Sequence, residues 1–99
     1  MSNFGVRNIA GAAGAPGSHT ATSSSSEIVP ADLTRKGIWI TNISNKTVYV
    51  AFGQAAELSK GVRVVKNERI QFGAAMCVTE SITVITASGS HDVIYQEWF

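Results

Sequence analysis

Apolar and polar positions alternate along this chain in short runs that begin near residue 27 and are parted by turn residues. Lys36 to Asn42 sets Ile38 and Ile40 on one face and Trp39 and Thr41 on the other, the period of a half-buried strand. Lys46 to Gly53 repeats it, with Val48, Val50 and Phe52 against Thr47, Tyr49 and Ala51. The turn residues Asn42 to Asn45 between them predict a hairpin. Ile82 to Ala87 and Asp92 to Trp98, across Ser88-Gly89-Ser90, predict a second. Glu27-Ile28-Val29 reads as a short strand stopped by Pro30. Val62 to Val65 and Glu68 to Phe72 read as strands flanking Lys66-Asn67, and Cys77 to Thr79 as a further short one. Gln54 to Leu58 has room for one helical turn before Gly61. About six to eight short strands at this spacing predict an all-β fold, a small antiparallel β-sandwich or barrel.

Residues 1–26 follow no such period. Gly5, Gly11, Gly14, Gly17, Pro16 and the run Ser23 to Ser26 dominate, with Arg7 the only formal charge. Too little apolar surface stands here to offset the conformational entropy of ordering, so the sequence divides into an extended Gly/Ser-rich N-terminal arm, 1–26, and a β body, 27–99. The arm still carries Phe4, Val6 and Ile9 around Arg7 near its tip, more than a pure linker needs. These four residues are the candidate partner-binding positions of an anchoring arm; the plain alternative is a frayed terminus.

Composition sharpens the β reading. Ten Val, nine Ile and eight Thr stand against two Leu, a balance that suits pleated surfaces rather than helices. Net charge is +1 with 15% charged residues and no clustered basic stripe, which argues against nucleic acid as a partner. No apolar run reaches the roughly 18–20 residues of a membrane helix. No apolar signal segment opens the chain, so synthesis in a cytoplasm is expected, and the sequons at Asn42 and Asn45 read as turn residues. Cys77, the single cysteine, excludes an internal disulfide and reads as a small buried apolar residue.

Candidate chemistry is thin. Gly53 to Lys60 has the wrong late positions, Leu58 and Ser59, for a phosphate loop. His19, Cys77 and His91 lack metal-type spacing, so no metal or cofactor is expected. His91-Asp92 beside Ser88 and Ser90 could orient an imidazole, but a polar hairpin tip yields the same residues without chemistry. The carboxylates form no close pair, and no catalytic residue is assigned. Trp39, Tyr49, Trp98 and Phe99 are candidate interface aromatics. Core positions are open to most of them, whereas the last two lie at the chain end, where termini usually reach the surface.

The body resembles a known family. Pro30-Ala31-Asp32-Leu33-Thr34-Arg35-Lys36-Gly37-Ile38-Trp39-Ile40-Thr41-Asn42 precedes Lys46-Thr47-Val48-Tyr49-Val50-Ala51-Phe52-Gly53. Ile82-Thr83-Val84-Ile85-Thr86-Ala87-Ser88-Gly89 and Val93-Ile94-Tyr95-Gln96-Glu97-Trp98 then close the chain. This pattern, over roughly residues 22–98, is similar to small β-rich virion proteins of tailed bacteriophages, among them capsid decoration or cement proteins. The resemblance implies a non-enzymatic structural protein on the capsid surface of a virion. Its expected partners are a major capsid protein or other virion protein, together with further copies of itself, a trimer being one arrangement. A cement protein needs a stable body, an adhesive arm and a repeated host lattice, where multivalent contact raises effective affinity. The alternative is a receptor- or carbohydrate-binding β module of a fibre or head–tail junction, with exposed aromatic rings stacking on sugars.

Overall fold

The computed structural model of the chain describes residues 12–73 and 79–99. Phe4, Val6, Arg7 and Ile9, like Cys77, lie outside the described residues. Eight strands follow in order: β1 (Gly17–Ala21), β2 (Ser26–Val29), β3 (Gly37–Asn42), β4 (Val48–Phe52), β5 (Val62–Val64), β6 (Arg69–Phe72), β7 (Ile82–Thr86) and β8 (His91–Trp98). They form two four-stranded antiparallel sheets, ordered β1-β8-β3-β6 and β2-β7-β4-β5. The expected β-sandwich is the observed architecture, and this strand order is that of an eight-stranded jelly roll.

Neither predicted hairpin forms. β3 and β4 lie in different sheets, as do β7 and β8; of the consecutive strands, only β4 and β5 pair. Turn residues reverse the chain without choosing the sheet in which it continues. Because β3 and β4 each bury one face, pairing side by side and packing face to face satisfy the same alternation. The structure takes the second option. Ile38 and Ile40 of β3 pack inward opposite Val48 and Val50 of β4, and all four are at most 1% exposed. Ala21, Ile28, Val29, Val64, Ile82, Val84 and Val93 complete a core built from β-branched and small residues. Phe52 and Phe72, one from each sheet, meet edge to face at 5.4 Å.

The body begins earlier than expected. β1 pairs residue for residue with β8, from Gly17 opposite Tyr95 to Ala21 opposite His91. Upstream, the Ala12 and Gly14 amides donate to the Phe99 and Glu97 carbonyls (both 2.7 Å), and the Phe99 amide donates back to Ala12 (2.9 Å). Residues 12–21, placed in the arm by the sequence, thus lie along β8 as part of the body. The missed strand carries almost no hydrophobic signal, for a physical reason. Gly17 faces inward where the Tyr95 ring takes the space, and a Cβ there would stand 2.7 Å from Cζ. His19, the next inward position, shares a hydrogen bond with the Ser26 hydroxyl across the sheets (2.8 Å). Small and polar residues thus fill an edge position that an apolar side chain would overpack.

The anticipated helical turn after Gly53 is absent. Residues 53–61 instead form a loop laid over the outer face of the second sheet: the Thr83 hydroxyl donates to the Gln54 carbonyl (2.7 Å) and the Ala56 amide to the Ser25 hydroxyl (2.8 Å). Ala56 is buried, and so is Ile85, which faces that side. Thr79, expected to end a short strand, lies in none; its carbonyl accepts from the Asp32 amide (2.8 Å).

The topology sorts the connections onto two ends. The β2–β3 and β4–β5 loops, residues 79–81 and the two described chain ends share one, held by bonds from the Asp32 amide to Thr79, Gly53 to Ser81 and Lys36 to Trp98. The β3–β4 and β5–β6 turns share the other, joined by the Asn67 amide to Asn42 and by the buried Asn42 amide group, which donates to Lys46 (2.6 Å) and Val64 (2.9 Å) carbonyls.

Candidate interaction surfaces

The residues read for chemistry do not converge. His91 and Asp92 are successive strand residues and project to opposite faces. The His91 ring bonds to the Ser88 carbonyl (2.9 Å), while the Asp92 carboxylate accepts from Thr20 (2.7 Å), so the carboxylate does not orient the imidazole. His19 bonds to Ser26. Among the described residues no three His, Cys, Asp or Glu gather as a metal site. Nor does any helix among them have the length and apolarity to cross a membrane. Two shallow surface clefts measure about 130 and 220 Å³, below the roughly 300 Å³ at which small-molecule sites begin.

The candidate aromatics divide between two faces. Strand alternation and register put Trp39 and Trp98 on the outer face of the first sheet: Trp39 stands opposite Gln96, and Trp98 opposite Gly37. They are therefore diagonal neighbours on adjacent strands, about 7–8 Å apart by sheet geometry. The Arg69 guanidinium lies 4.7 Å over the Trp39 ring and is steadied by Thr41, whose hydroxyl accepts from Nε at 3.1 Å. Ile94, Gln71 and Thr20 share this face. Tyr49 is on the opposite outer face, where it lines the 220 Å³ cleft with Lys46, Thr86 and Ser88. Phe99 closes against the N-terminal segment; a Cβ on Gly14 would stand 3.2 Å from its ring. The structure thus brings two of the four aromatics together and separates the others.

A different group of residues forms a tightly hydrogen-bonded loop between β2 and β3. Asp32 to Arg35 is a β-turn in which the Arg35 amide donates to the Asp32 carbonyl (3.1 Å). The Asp32 carboxylate accepts from both the amide (2.9 Å) and the hydroxyl (2.6 Å) of Thr34. Those bonds, the hydroxyl first, hold the Asp32 carboxyl below its ordinary value of 3.8, with the Arg35 charge assisting against a small burial cost. Arg35 itself is 2% exposed. Its guanidinium pairs with Glu97 (2.8 Å) and donates to the Pro30 (2.6 Å) and Glu80 (3.0 Å) carbonyls. One side chain therefore ties the β2–β3 loop, residue 80 and the end of β8 together. At the tip, Leu33 is 90% exposed. Sequence reading missed this loop. Its signal was the Asp-x-Thr turn pattern and an arginine between two strands; burial of that arginine depends on tertiary neighbours.

No protein-family model matches the chain, and no curated protein sequence does either.

Proposed function

We propose that this chain is a non-enzymatic structural protein of a tailed-phage particle, a decoration or cement protein that binds and stabilises the capsid lattice. The observation that carries the reading is where the chain enters its body. Ala12 and Phe99 are bonded to each other at one end of the sandwich, and the apolar residues Phe4, Val6 and Ile9 precede its first described strand in the sequence. Apolar residues ahead of a β body are what attachment to a larger host calls for. The sequence pattern from Pro30 to Trp98 points the same way. Burying the three apolar side chains in a neighbour would contribute roughly 5–8 kcal/mol before ordering costs. Capsids of the encoding phage, purified with and without the protein, should differ in thermal or osmotic rupture. Equal rupture thresholds would overturn the reading.

A second reading rests on the Trp39–Trp98 face. Two neighbouring indoles flanked by Gln96 and Gln71 offer stacking surfaces and amide hydrogen bonds to a sugar, as a receptor-binding module of a fibre would. Copy number separates the two: decoration requires hundreds per particle, a fibre or junction role tens or fewer. Glycan-dependent quenching of tryptophan fluorescence, lost in Trp98→Ala, would favour the second.

A further inference from the structure

Charge is sorted across the width of the sandwich. Residues 17–29 and 82–98, which hold β1, β2, β7 and β8, contain no Lys or Arg. Their carboxylates are Glu27, Asp92 and Glu97, the last already paired with Arg35. Residues 37–52 and 62–72, which hold the other four strands, contain Lys46, Arg63, Lys66 and Arg69. The one acid among them, Glu68, accepts from the Val65 amide (2.9 Å). The sheet orders turn this split into two sides: β1 and β2 are the edges of an acidic side, β5 and β6 those of a basic one. Glu27 and Arg63 are both exposed, on the two opposite edge strands of the same sheet. Three of the five half-buried apolar residues that pack on the core, Val62, Ile70 and Phe72, stand on β5 and β6.

Among the described residues no strand pairs with the free edges of β1, β2, β5 or β6. Charges on an edge ordinarily keep copies apart. Here they repel a like edge and attract the opposite one. Both sheets have four antiparallel strands, so β6 runs opposite to β1, and β5 opposite to β2. Copies standing side by side in one orientation therefore set β6 antiparallel to the next β1 and β5 antiparallel to the next β2, the more stable pairing. We propose that the partner of the basic side is the acidic side of a second copy of this chain. A contact between unlike sides is heterologous; repeated, it builds assemblies of three or more copies, because two-fold closure would make it isologous. Backbone bonds between edges and burial of Val62, Ile70 and Phe72 supply the affinity, while the charges select which sides meet. The proposal concerns the chain alone and is independent of the decoration reading.

Sedimentation velocity of the full-length protein over a wide concentration range tests it. Wild type should reach a mass of three or more copies, and assembly should weaken as salt rises. Arg63→Glu and Glu27→Arg should each weaken assembly by roughly tenfold or more at unchanged circular dichroism. Lys66→Glu replaces Arg63→Glu if that variant loses its fold. An equimolar mixture of the two variants should restore assembly, since the intact acidic side of one meets the intact basic side of the other, and the reversed sides also attract. A wild-type chain that stays monomeric, or a limiting mass of two copies, overturns the proposal. So does assembly that either variant leaves unweakened, or that mixing does not restore.

Discussion

Arg35 shows how one residue holds several elements together. Its side chain is fully buried, and its partner Glu97 is 17% exposed, so the pair sits where an unmatched charge is costly. Replacing Arg35 with Ala strands the Glu97 carboxylate and two carbonyls at once, and should cost about 3 kcal/mol, the low end for a broken buried pair because Glu97 retains some water. Glu97→Gln keeps a hydrogen-bond acceptor but leaves the fully buried Arg35 guanidinium without the carboxylate charge opposite it, and should cost at least as much; urea midpoints at constant slope would measure both. A cost for Arg35→Ala below about 1 kcal/mol would show that the loop is held by backbone bonds alone. Asp32 in the same turn is a separate, pH-dependent tie. Its carboxyl titrates lower in the folded chain than in the unfolded one, so its contribution is present above the ordinary carboxylate range and is lost as pH falls through the lowered value. The Thr34 amide resonance should therefore shift in acid, below the pH at which an unhindered aspartate titrates. In Asp32→Asn that shift should vanish at equal overall fold.

At the scale of elements, β1 sets what can be cut. Removing residues 1–11 takes away no described strand, and should leave circular dichroism and melting temperature unchanged while weakening attachment to capsids. Removing residues 1–21 strips an edge strand, opens the backbone of β8 and takes out Ala21 from the core, and should lower the melting temperature by many degrees or cause aggregation. Equal stability of the two truncations would mean that β1 is dispensable and that the arm does extend to residue 26. Gly17→Val tests the same strand more gently, since its Cβ meets the Tyr95 ring. The strands of the body were legible because Val, Ile and aromatic residues alternate there at period two. β1 was not, because Gly17, His19 and Ala21 are small or polar on the inward side. The sheet assignment of β3, β4, β7 and β8 was hidden for another reason: alternation marks a buried face without naming the neighbour. Of the candidate surface, Trp39 and Trp98 were legible as candidate interface aromatics, but their shared, half-buried place on one outer face was not, and the Leu33 turn depended on burial of Arg35 by residues 45 and 62 positions away.

The whole molecule follows from one topological fact: among consecutive strands only β4 and β5 pair, and every other connection crosses between sheets. No local hairpin other than that one can form early and persist, and neither sheet keeps a buried face without the other. Two consequences can be measured. Unfolding should be a single transition, because Ile40 of the first sheet and Val84 of the second are each fully buried in one shared core. Their amides should exchange with solvent at the same global free energy, although they lie in different sheets. Refolding should be slow for a chain of 99 residues, in the range of milliseconds to seconds, since strands distant in sequence such as β1 and β8 must meet before burial offsets loop closure. Tryptophan fluorescence reports on the first sheet alone, because both tryptophans lie there. If the fluorescence change ran ahead of exchange protection in β4 and β7, the first sheet would be forming by itself. That result would show that Ile38, Ile40 and Val93 find burial without Val48, Val50 and Val84, and the two sheets would then be separate folding units.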